Sequence, residues 1–255
     1  MYRKKSNAII KSVFKLVTVV CLLGIILITF SSCALMPNWL VGSGNVITEE
    51  RDVSNFDQIS LHGSGNLIIE QGDIESLRIE AEDNIIPTIT TEVRNSELVI
   101  SYKTRFLSSR IPTKPINFYL TIKDIKAITL SGSGTIKSDG LRTEQVDIYI
   151  SGSGKADLNV NVKKINVRIS GSGSVKVAGE AEKQEIRISG SGSYPASGLA
   201  SKECKIVISG SGNCAVRVSD KLDVRISGSG NVSYIGRPEI SEDISGSGGI
   251  KNISE

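Results

Sequence analysis

The stretch QVDIYISGSGKADLNVNVKKINVRISGSGSVKV, residues 145–177, holds two copies of SGSG, and each is approached through alternating apolar residues. Val146, Ile148 and Ile150 lead into the first copy, and Ile165, Val167 and Ile169 into the second. A period of two in β-branched residues is the pattern of a half-buried strand. Shorter apolar sets follow each copy, Ala156 with Leu158 and Val175 with Val177. One repeat therefore reads as strand, Gly-Ser corner, strand and a second polar turn, of which Lys137-Ser138-Asp139-Gly140 is the expected example.

Working outward, SGSG begins at Ser131, Ser151, Ser170, Ser189, Ser209, Ser227 and Ser245, so the repeat length is 18–20 residues. Two short strands cannot bury an apolar face alone, so successive repeats must stack and pair at about 4.8 Å. The predicted fold is all-β, a β-solenoid resembling a single-stranded right-handed β-helix. Glycine suits the corner because it accepts positive φ and leaves room where backbones stack; the serine hydroxyls are expected to bond to neighbouring backbone or to one another.

A copy in HGSGN starts at His62, and GSGN at Gly42 opens the folded part. Residues 66–130 lack the tetrapeptide but still alternate, as in Leu98-Val99-Ile100, so 42–130 are expected to form wider coils ahead of the regular repeats of 131–250. Leu107–Pro115, with Arg110, Lys114 and two prolines, reads as a loop excursion.

The repeats give no sign of catalysis or metal binding. A phosphate-cradling Gly loop opens a helix, and none is predicted. A nucleophilic Ser needs a base, and the sole histidine is His62. Calcium-binding β-helix turns carry Asp after the glycines, and no SGSG here is followed by one. No catalytic residue, metal site or cofactor is expected.

The N-terminus combines basic MYRKKSNAIIKSVFK, an apolar run from Leu16 to Phe30, and Ser31-Ser32-Cys33. This is the three-part pattern of an export signal, and the run is shorter than the roughly 20 residues of a bilayer span. Phe30-Ser31-Ser32-Cys33 resembles a lipobox, so residues 1–32 are expected to be a signal peptide, Cys33 the lipidated residue and 33–41 a tether. Palmitate-type acylation would hold the protein to the outer membrane, because each buried methylene contributes about 0.8 kcal/mol.

Arg3, Lys4, Lys5, Lys11 and Lys15 lie in the signal; without them 25 basic residues (30 − 5) face 27 acidic ones, a net charge of −2. Such a surface argues against nucleic acid as a partner.

Outward positions form columns. The residue two before each tetrapeptide gives Thr129, Tyr149, Arg168, Arg187, Val207, Arg225 and Asp243; Tyr149, Arg168, Arg187 and Arg225 are the candidate binding residues. Cys204 and Cys214 fall on inward positions. A disulfide would require Cα atoms within about 7 Å, whereas free cysteine fits as a small buried hydrophobe; two thiols are the expected state.

GSGNVITEERDVSNFDQISLHGSG (42–65), LIIEQGD (67–73) and INFYLTIKDIKAITLSGSG (116–134), followed by the SGSG series, resemble the head GIN domain family of auto-transporter adhesin type, common as lipoproteins of Bacteroidetes-type bacteria. The resemblance implies a β-helical fold and an envelope location and assigns no catalytic residue. The expected function is a non-enzymatic envelope lipoprotein, an adhesin or binding module with a glycan or protein ligand and a membrane anchor. The alternatives are a polysaccharide-acting β-helix enzyme and an envelope structural or sensing component.

Overall fold

The computed structural model describes residues 40–103 and 110–254. The signal sequence and Cys33 lie outside the described residues, as do residues 104–109 of the expected loop excursion. Within the compact unit that holds the repeats, the chain forms a β-solenoid of about seven turns.

Its regular part consists of the strands Thr135–Gly152, Lys155–Gly171, Ser174–Gly190, Ser193–Gly210 and Asn213–Gly228, each paired in parallel with the next. The tetrapeptides stack in register: Ser151 pairs with Ser170 and Ser189, and Gly152 with Gly171 and Gly190. The alternating residues before the corner are buried, among them Val146, Ile148, Ile165, Val167, Ile206 and Val224, each at most 1% exposed.

The two glycines of each corner are needed for different reasons. Gly171 has φ +104°, and a Cβ there would sit 2.7 Å from the Gly152 oxygen of the coil below. That oxygen accepts the Ser172 N–H at 2.9 Å, so the close approach is itself the bond that joins the coils. Gly173 faces inward, where a Cβ would meet Ile150 Cγ2 at 2.6 Å. Among the described residues no corner serine hydroxyl of the SGSG series has a protein partner, contrary to the expected hydroxyl ladder; the backbone amides join the coils, and the outer serines are left to solvent.

The second turn also lies elsewhere than expected. Ser138 is buried, its hydroxyl donating to the Ile69 carbonyl at 2.7 Å, and the Asp139-Gly140 irregularity belongs to one coil. The alternation instead changes phase at Glu144-Gln145, Lys163-Lys164, Glu182-Lys183, Lys202-Glu203 and Asp220-Lys221. Two successive outward residues there turn the chain between faces.

The N-terminal stretch, expected as wider coils, instead mixes parallel rungs taken out of chain order with antiparallel strands. Gln58–Gly63 stacks between Ala127–Gly132 and Glu97–Tyr102, so His62-Gly63-Ser64-Gly65 is a true rung of the corner stack, and spatial order departs from chain order. Antiparallel strands Val46–Arg51, Ser76–Glu82 and Ile89–Arg94 finish this end. The GSGN at 42–45 is not a corner. It wraps Glu82, which is 1% exposed and accepts from Gly44 N (2.8 Å) and from the Thr113 amide (2.9 Å) and hydroxyl (2.5 Å). The Thr113 hydroxyl, then the amides, hold the carboxyl below its usual range against the opposing effect of burial.

At the other end Glu242 occupies the inward column that runs Ile148, Val167, Ile186, Ile206 and Val224 through the coils before it. An exposed carboxylate at this position leaves no apolar seat for another coil and blunts the open edge.

One polar island interrupts the core. Gln184 and Tyr194, both 0% exposed, are bonded Tyr194 O–H to Gln184 Oε1 (2.9 Å). Gln184 Nε2 donates to the Ser201 hydroxyl (2.7 Å), which donates to the Arg217 carbonyl (2.9 Å). Beside them Cys204 and Cys214 are free thiols, 3% and 5% exposed. Burial pushes the Cys214 thiol up to about 12 and the Cys204 thiol well above its usual value. Since the thiolate is the reactive species, native protein at pH 8 is expected to leave both unmodified by iodoacetamide, and denatured protein to take up two equivalents there. Peptide mass spectrometry reads this, and a Cys204–Cys214 disulfide would overturn it.

Candidate binding surfaces

Stacking in register turns every outward position into a column with a coil-to-coil step of about 4.8 Å, and two columns define open surfaces. The first lies beside the second turn. There Thr143 and the buried Val162, Ala181, Ser201 and Val218 align as an inward column beneath a groove of about 1130 Å³ that runs along the stack. One wall carries Glu144, Lys163, Glu182 and Lys202, whose signs alternate from coil to coil, with Glu144–Lys163 at 2.6 Å and Glu182–Lys202 at 3.5 Å. Two residues earlier on the same strands Arg142, Asn161, Glu180, Ala200 and Arg217 stand in register and also border the groove. Among the described residues no aromatic ring lines this groove. The alternating signs and small residues were visible in the sequence, but their alignment depends on where the second turn falls.

The second surface contains the candidate residues. Tyr149, Arg168, Arg187, Val207 and Arg225 are register partners in successive coils. The first four border a shallow cleft of about 410 Å³ between their column and the serine corner. The Arg168 guanidinium lies over the Tyr149 ring, 5.3 Å from its centroid. Arg225 is separated from the others by Val207 and faces Asp243 of the next coil, so the structure divides the four candidates into a group of three and an outlier.

Charge pairing elsewhere on the regular coils follows the rule that opposite charges face each other across strands. Lys164–Glu185 (3.1 Å), Lys176–Asp157 (3.1 Å) and Lys205–Asp223 (3.8 Å) each join adjacent coils. Lys164 and Lys183 are in-register cations, yet Glu185 contacts both. Arg168 and Arg187 are in register with no carboxylate within 4.0 Å of either, the described residues considered.

Fold and surface together define the class, an all-β solenoid whose functional groups stand on the outer faces of its coils. The family model "Putative auto-transporter adhesin, head GIN domain" matches residues 55–238, and the chain belongs to that family. It is similar to a solved putative adhesin from Bacteroides fragilis, with 27% identity and TM-score 0.78 over 84% of this chain and 100% of that one. A putative lipid binding protein from Parabacteroides distasonis is 25% identical, TM-score 0.72, over 85% of this chain and 100% of that one. A second protein from that organism, a putative adhesin, shares the fold at 23% identity and TM-score 0.69, over 85% of this chain and 100% of that one. A search of curated proteins returned no significant match.

Proposed function

We propose that the chain is a non-enzymatic envelope adhesin, lipid-anchored through Cys33 to the outer membrane, that presents its stacked surface to a carbohydrate or protein ligand. The observation that supports this reading is the groove of about 1130 Å³ that runs along six coils, open to solvent. Membership in an adhesin-type family points the same way, and the lipid-binding relative adds a lipid to the ligands worth testing.

The test uses the full chain. Cys33→Ser is expected to abolish acylation and release the protein from membranes washed with carbonate; normal processing with retention would refute the lipobox. Full-length protein in detergent, probed on glycan, host-protein and lipid arrays, is expected to bind at least one ligand saturably and to lose it when Lys163→Glu with Lys202→Glu reverses the exposed charges along the groove.

An enzymatic reading is favoured by one observation: Glu180 and Glu182, two residues apart on one strand with buried Ala181 between them, both border the groove. Glycosidases use two carboxyl groups roughly 5–10 Å apart. Reducing-end release from a polysaccharide, lost in Glu180→Gln or Glu182→Gln, would replace adhesion by catalysis.

A further inference from the structure

We propose that Arg168 and Arg187, with Tyr149 and the adjoining serine corner, form a binding site for an acidic polysaccharide, gripping its carboxylate or sulfate groups. The inference rests on the reading of this chain as a binding module, but it concerns a surface separate from the groove.

The carrying observation is a charge arrangement that folding alone does not favour. In-register stacking places Arg187 directly above Arg168, one coil step away, and like charges directly opposite each other in a sheet are destabilising. Neighbouring columns avoid this by alternating sign or by sharing an acid, as Glu185 does for Lys164 and Lys183. Here neither remedy is direct: Arg168 reaches Asp147 only through the Tyr149 hydroxyl, at 3.5 Å on each side, and no carboxylate among the described residues pairs with Arg187. An anion seated between the two guanidiniums would turn the repulsion into attraction, and each planar guanidinium offers donors in the fork geometry that matches a carboxylate or sulfate.

The surroundings suit a sugar chain. Tyr149 is half-buried and continues the column by one coil, holding Arg168 over its ring and offering an edge for a sugar to lie against. Parallel to the arginines run Ser151, Ser170 and Ser189, exposed hydroxyls without protein partners at the same coil spacing. The cleft between the two columns, about 410 Å³, lies open along the stack. A flat anionic bilayer fits less well: the column on the other side of the arginines carries Asp147 and Glu185, and the chain beyond the signal has a net charge of −2 (25 basic against 27 acidic).

The test reconstitutes the full chain in phosphatidylcholine vesicles and measures capture of fluorescent heparin, polygalacturonate and neutral dextran. Capture of at least one acidic polymer, weakened by salt, and none of dextran is expected. Arg168→Gln with Arg187→Gln should lower the affinity at least about tenfold, as expected when charge-assisted bonds are removed. Lys155→Gln with Lys251→Gln, an equal change of charge elsewhere, should leave it unchanged. The arginine double variant should also melt about 1–3 °C higher, because the repulsion is gone. Absence of capture, or capture indifferent to the arginines, overturns the proposal. So does arginine-dependent clustering with phosphatidylglycerol vesicles without polysaccharide capture, which would assign the site to lipid. If an array ligand depends on Lys163 and Lys202 but not on the arginines, this inference fails and the binding-module reading stands.

Discussion

Gly171→Val is expected to destabilise the solenoid by about 3 kcal/mol or more, two effects acting at one atom. The residue sits at φ +104°, where a β-branched side chain is strained. Its Cβ would also overlap the Gly152 oxygen at 2.7 Å, and that oxygen belongs to backbone that the Ser172 N–H already holds. Relief requires the two coils to part, and each coil is stable only through its neighbours. Gly210→Val should behave alike, since the Gly190 oxygen would be 2.5 Å from its Cβ at φ +122°. The internal control is Gly140→Ala: an added Cβ there meets nothing within 4 Å, so stability should be unchanged or gain up to about 1 kcal/mol from the stiffer unfolded chain. Urea unfolding at pH 7 reads all three, and a Gly171→Val value equal to that of Gly140→Ala would sink the account of the corner.

The second large effect is expected in the polar island. Tyr194→Phe leaves the Gln184 carbonyl without a donor in a site with no access to water, and Gln184→Leu strands the Tyr194 hydroxyl. Each change should cost about 1–3 kcal/mol, the desolvation penalty of an unpaired buried group. The double variant should recover much of that loss. In the same column Ile165 and Cys204 flank Gln184 and Leu222 lies one coil further on, so an apolar side chain fits the column, and a phenyl ring keeps the shape of Tyr194. A coupling of about 1–3 kcal/mol in this cycle is the expected reading; additive losses would mean that packing, not the hydrogen bond, carries the effect.

The in-register corner explains why so much of this fold is legible in the sequence. A repeat of 18–20 residues with SGSG at one point and alternation leading into it leaves few ways to bury Val146, Ile148 and Ile150 other than against their equivalents in the next coil. The glycines, the inward cysteines and the outward arginine column follow from the same period of two. The cap was not legible. Gln58–Gly63 lies between strands that come some forty and seventy residues later in the chain, and nothing local to its sequence states which rung it joins. Glu82 likewise reads as one more surface acid until Gly44 and Thr113 close around it.

What the sequence alone determined is the repeating unit: its strands, its Gly corner, which side chains face inward and which outward. These depend on local alternation and on steric demands at single residues. Tertiary structure decided the position of the second turn, the order of the N-terminal rungs, the groove and the partners of each charge. The two arginines show the physical reason. Nineteen residues apart, Arg168 and Arg187 are only two cations in a sequence of mixed charge; parallel pairing in register makes them immediate neighbours, and only the side chains of adjoining coils decide whether that repulsion is neutralised.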